Sequence, residues 1–145
     1  IKKKKFDLII MRGVIEHIEN FDVVVKELCK RLKIGGFFYI TATPNTNNLS
    51  FFLSPKDFNQ NDFGHIYHFN NVNLCMFFLK NNLFNIETIY QYSDTPYAKY
   101  SNDYKLSKKQ LRNFSNFNKK KSKSPPGVGN MMTLIFKKLN QKIGF

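Results

Sequence analysis

The strongest constraint on this chain is an ordered triplet within its first 44 residues: a strand-like run, a helix-like run and a second strand-like run. Residues 6–11 read FDLIIM, nearly all apolar. A short apolar run rich in β-forming residues is what a strand covered on both faces looks like, as in a parallel sheet. Gly13 permits a turn. From Asn20, a residue type suited to a helix N-cap, the period changes. Phe21, Val24, Val25, Leu28 and Leu32 fall on one face of a helix. Lys30, Arg31 and Lys33 crowd its last turn, where cations favour the helix dipole, and Gly35 or Gly36 can take the left-handed stop. Residues 37–43 (FFYITAT) form the second strand, ended by Pro44, which cannot donate to a ladder. Strand, helix and strand in this order make a βαβ unit, so the sequence predicts an α/β fold.

Residues 45–69 show no clear period and read as a long loop, with a short helix near 55–58. A long loop after a parallel strand is usually functional. Residues 72–83 are helical again, with Leu74, Phe77, Phe78 and Leu79 on the buried side and Asn70 or Asn71 as the cap. Residues 84–92 alternate, setting Ile86, Thr88, Tyr90 and Tyr92 against Glu87, Ile89 and Gln91. Residues 94–129 form a lysine- and asparagine-rich insertion containing NKKKSKSPPG; it is expected to be flexible, with at most a short helix over 106–117. Residues 131–136 (MMTLIF) close the fold as a last strand.

Charge narrows the function less than it first suggests. The net charge is +13, which can signal nucleic acid. Yet lysine is abundant together with Asn, Ile, Phe and Tyr, all residues with A/T-rich codons, and the lysines are spread along the chain. The aromatics form no base-stacking strip, so nucleic acid is not the expected partner. Cys29 and Cys75 lack metal-ligand spacing and fall within expected helices. They read as buried free thiols of a reducing compartment, here the cytoplasm. No apolar run is long enough to span a bilayer.

The order FDLII (6–10), VIEH (14–17), LKIGG (32–36) and TPN (43–45) resembles the second half of class I S-adenosylmethionine-dependent methyltransferases. Within that class it is most similar to the small-molecule group that includes the ubiquinone-biosynthesis O-methyltransferases. HIYHFNNVNLCMFFLKNNLFNIETI and GNMMTLIFKK resemble the downstream helix, sixth strand and seventh strand. The resemblance implies an incomplete Rossmann-like sheet: strands 4 to 7 of the seven-stranded fold, the last one antiparallel. It is carried by residues 1–93 and 130–138. The family's G-x-G-x-G loop, and the acidic residue that holds the cofactor ribose, have no counterpart in the sequence. The chain therefore resembles the C-terminal half of such an enzyme, inactive alone, with the N-terminal half as an expected partner. Two further departures are Ile34, where the family has proline, and Leu83, where a helix-stopping glycine is usual.

The resemblance implies methyl transfer from S-adenosyl-L-methionine to a small-molecule acceptor, expected at oxygen. It places Met11, Arg12 and Gly13 against the methionine part of the cofactor. Glu16 and His17 follow on the turn into the helix. His17 is either a base or substrate-orienting group, or else forms with Glu16 a hydrogen-bonding staple of the turn. His65 and His68 lie in the loop and helix entry that roofs the substrate side; they either complete the candidate catalytic set or are simply solvated or capping. No metal is expected, because Gly13 stands where a further acidic ligand would be needed. The alternatives are a basic nucleic-acid-binding module and a non-catalytic remnant; a nicotinamide site would also need the missing glycine loop.

Overall fold

The computed structural model describes residues 4–48, 51, 64–90 and 131–140. The expected short helix at 55–58 and the 94–129 insertion with its helix at 106–117 lie outside the described residues. Strand β1 (Phe6–Arg12) leads through a 3₁₀ turn (Ile15–His17) into helix α1 (Phe21–Arg31). Strand β2 (Leu32–Pro44), helix α2 (Asn71–Leu79), strand β3 (Leu83–Ile89) and strand β4 (Met131–Lys138) follow. The four strands form one sheet in the order β1-β2-β4-β3. β1 and β2 are parallel, with Ile9 opposite Phe38 and Met11 opposite Ile40. β4 runs antiparallel to both of its neighbours. The mixed α/β sheet expected from the sequence is present, with the last strand antiparallel.

Both helices press on the same sheet face. Val25 and Cys29 from α1 and Leu74 and Phe78 from α2 join Phe38, Ile40, Met132, Leu134 and Phe136 in one buried cluster. Phe78 stacks on Phe136 at 4.3 Å between ring centroids and meets Phe38 edge-on at 5.0 Å. The helices touch through Phe21 and Phe77, 5.2 Å apart. The buried stripe of α1 differs from the expected one. Val24 is 39% exposed, whereas Cys29 lies in the core, as expected of a buried free thiol. Period alone left a choice between adjacent faces, and packing against β2 settles it.

Three chain reversals also depart from expectation. Asn20 stands at the α1 N-cap but makes no side-chain capping bond; its carbonyl accepts from Val23 and Val24 N–H instead. At the other end α1 stops at Arg31, before the glycines, with Leu32 already extended. The Lys138 ammonium reaches across from β4 and donates to the carbonyls of Cys29 (2.6 Å) and Leu32 (2.8 Å). A cation there satisfies orphan carbonyls and complements the helix dipole. Gly35 (φ +76°) shapes a bulge, since Phe6 pairs with Leu32 but Leu8 already pairs with Phe37. A Cβ on Gly36 would lie 2.9 Å from the Asp7 carbonyl, so the close strand approach requires glycine there.

Helix α2 is capped by Asn70, whose side chain accepts from Asn73 N–H at 2.8 Å. It ends at Leu79, earlier than expected. Leu83 is not forced into a left-handed turn. Asn82 takes that conformation (φ 63°), which asparagine tolerates better than most residues, and leaves Leu83 fully buried in β3. In β3 the expected alternation fails because the register shifts between Asn85 and Glu87 against β4. The extra residue, Ile86, is 50% exposed, as a bulged residue must be when the parity of its strand changes.

Candidate functional site

The parallel strands β1 and β2 end side by side, and both ends are irregular. Met11 points into the core at 7% exposure, while Arg12 is exposed. Gly13 has φ +55° and donates its N–H to the Thr41 carbonyl at 2.9 Å. Across from it, Ala42 also has a positive φ (56°), in the stretch where β2 shifts register against β4. A non-glycine residue in this conformation costs about 1–2 kcal/mol, and such strain gathers at functional sites. A Cβ on Gly13 would come no nearer than 3.9 Å to the Ala42 carbonyl and Glu16 Oε1. Positive φ, more than crowding, is what calls for glycine at this position.

The 3₁₀ turn then buries Glu16, leaving it 2% exposed. Its carboxylate accepts from Thr43 Oγ1 at 3.3 Å and lies 3.9 Å from His65 Nε2. Burial pushes its pKa up. Its own backbone N–H, the two nearby histidines and the Thr43 hydroxyl pull the other way without cancelling that cost. His17 is exposed, and its Nδ1 lies 3.0 Å from the Gly64 carbonyl. A carbonyl can only accept, so Nδ1 carries the proton of the neutral ring and Nε2 keeps its lone pair. The rings of His17 and His65 meet edge-on, 4.6 Å apart.

His65 is brought here by backbone pairing that no local pattern announces. The Glu16 carbonyl accepts from Ile66 N–H (2.8 Å) and Tyr67 N–H (3.2 Å). Tyr67 OH donates to the Glu19 carbonyl at 2.6 Å, and the Tyr67 ring packs on Phe21. Glu16, His17 and His65 are thus gathered, with one ligand atom of each within 4.8 Å of the others. His68 is exposed and lies outside that group. Sequence reasoning missed Thr43 and Gly64, which hold the carboxylate and the His17 ring; only the T-P-N motif at 43–45 touched on either.

Residues 2–88 match the family model described as the methyltransferase domain. The chain belongs to this methyltransferase-domain family. Two solved structures share its fold. The YcgJ protein of Bacillus subtilis aligns over 95% of this chain and 66% of its own, with 16% identity and a TM-score of 0.55. A methyltransferase candidate from Bacillus halodurans C-125 aligns over 97% of this chain and 67% of its own, with 15% identity and a TM-score of 0.55. The methyltransferase-domain chain thus spans about two thirds of the length of these structures. No curated protein matches it. Among the described residues, no helix is long and apolar enough to cross a membrane.

Proposed function

We propose that the chain takes part in methyl transfer from S-adenosyl-L-methionine to an oxygen of a small-molecule acceptor. The observation that carries this reading is the convergence of Glu16, His17 and His65 beside the carboxyl ends of two parallel strands, where open α/β sheets bind their ligands. The residues present fit one part of the cofactor. Gly13 and Arg12 end β1 beside the strained Ala42 turn, and a ligand can approach the Gly13 backbone closely because no side chain projects there. Met11 supports that wall from within the core and offers the ligand its backbone alone. When bound, the sulfonium supplies an activated methyl group. The chain's own side chains hold the acceptor in line, exclude water, and manage the hydroxyl proton at the Glu16–His17–His65 group.

We further propose that the glycine loop and the ribose-holding acid come from residues outside this sequence. The sequence contains no G-x-G-x-G, and the outer edge of β1 pairs with no strand among the described residues. Free thiols at Cys29 and Cys75 suit a reducing compartment, so we place the protein in the cytoplasm. Calorimetric titration of S-adenosylmethionine tests the reading. Residues 1–145 should bind weakly or not at all, and a version extended upstream in its own reading frame should bind at micromolar concentration. Loss of two charge-assisted ribose bonds alone removes on the order of 3–6 kcal/mol. In the extended version, His17→Ala should abolish turnover at an unchanged Tm. A lowered Tm with turnover retained would make His17 a staple of the turn.

A further inference from the structure

We propose that Glu16, His17 and His65 form a three-ligand site for one divalent transition-metal ion of the zinc class. Two imidazoles and one carboxylate are a donor set suited to zinc, cobalt or ferrous iron, and poorly suited to magnesium or calcium. The three ligand atoms lie within 4.8 Å of one another. In a tetrahedral zinc site such atoms stand about 3.3 Å apart, so each gap closes by about 1.5 Å or less.

Three features point to an ion. Glu16 is buried, and among the described residues the partners of its carboxylate are its own backbone N–H, Thr43 at 3.3 Å and His65 at 3.9 Å. A carboxylate taken out of water needs a closer positive partner than these. The second feature is the Nδ1–H of His17, which is held by the Gly64 carbonyl. This arrangement fixes the tautomer of metal-binding histidines and turns the other nitrogen to the ion. Third, the ligands are held by backbone. The Glu16 carbonyl pins residues 66 and 67, and with them His65, to the 3₁₀ turn. The sequence argues against a metal because Gly13 leaves Glu16 and His17 short of an acidic ligand; the fold brings a histidine to them instead, His65.

Three protein ligands leave at least one coordination position open, the pattern of a catalytic rather than a structural site. On the methyltransferase reading above, that position takes the acceptor oxygen and makes its proton easier to lose. Only this role rests on that reading; the binding of the ion does not.

The test is titration of the metal-free chain with Co(II), followed by its visible absorption, and with Zn(II) by calorimetry, without cofactor or acceptor. One equivalent should bind and give the intense bands of four- or five-coordinate cobalt. His17→Ala and His65→Ala, both outside the buried core, should each weaken binding by about a hundredfold or more, since even second-shell losses cost 10–100-fold. Cys75→Ser should leave binding unchanged, and far-UV circular dichroism should show all variants folded. Absence of saturable binding, or affinity that survives both histidine substitutions, overturns the proposal. A metal-binding, upstream-extended version that transfers no methyl group would leave the site standing and defeat only the methyltransferase reading.

Discussion

The two faces of the sheet are built from the same kind of residue and treated in opposite ways. On the face under α1 and α2, Phe38, Ile40, Leu134 and Phe136 are fully buried. On the other face, Leu8 is 47% and Ile10 is 59% exposed, although they alternate along β1 with the partly buried Ile9 and the buried Met11. An antiparallel sheet with one wet face would carry polar residues there. β1 is apolar on both sides, as a strand of a parallel sheet covered on both faces should be. At the far edge β3 breaks its own ladder with a bulge and exposes Glu87, devices that discourage pairing with another strand. The contrast teaches that one edge of the sheet is protected and the other is suited to continuation.

The largest effect that would sharpen this contrast lies in the covered face. Phe136→Ala should destabilise the chain by about 3–5 kcal/mol, because it opens a cavity against Phe78. Phe84→Ala, at a side chain 50% exposed, should cost no more than about 0.5 kcal/mol. Denaturant unfolding of both measures the difference, and equal costs would break the comparison.

The next effect is a pH dependence. Burial pushes the Cys29 thiol up to about 12, so the folded chain keeps a proton that the unfolded chain begins to lose near pH 9. The stability Cys29 contributes is therefore full below pH 9 and falls as pH rises towards 12, by about 1.4 kcal/mol per pH unit. Cys29→Ala should flatten that part of the stability–pH curve relative to the parent chain. Burial also raises the half-buried Cys75 thiol, but iodoacetamide should still label it well before Cys29.

Smaller effects concern the strand ends and the open edge. Ala42→Gly should gain about 0.5 kcal/mol, the relief of a positive φ less the added freedom of the unfolded chain. The same substitution at a residue of ordinary φ would lose stability, so the sign alone decides. Ile10→Lys should change stability by no more than about 0.5 kcal/mol yet reduce self-association seen by light scattering. A parent chain that is already a monodisperse monomer would contradict the view of β1 as an uncovered strand.

The strands at 6–11, 37–43 and 131–136 were legible because apolar β-rich runs leave few alternatives, and α1 because its period is strong. The failures have local causes. The expected stripe of α1 failed at Val24 because that residue sits about 100° round the helix from the buried Val25, at the margin of the apolar arc, while Cys29 lies one turn beyond Val25. The alternation of β3 failed at Ile86 because one inserted residue inverts parity, and only the partner strand shows where it sits. The positive φ of Ala42 carries no residue signature at all. At the site, Glu16 and His17 were legible through their motif, whereas the approach of His65 depends on backbone bonds from Ile66 and Tyr67 to the Glu16 carbonyl, 50 and 51 positions away in sequence (66 − 16 and 67 − 16).

The central claim is that the ends of β1 and β2 form the methionine-side wall of an S-adenosylmethionine site. Amide chemical shifts recorded while S-adenosylmethionine is titrated into the upstream-extended version test it most directly. Saturable shifts should appear at Arg12 and Gly13 and at the Ala42–Thr43 turn, while residues 83–89 of β3 stay unmoved. Shifts confined to β3, or none at saturating cofactor, would contradict the account.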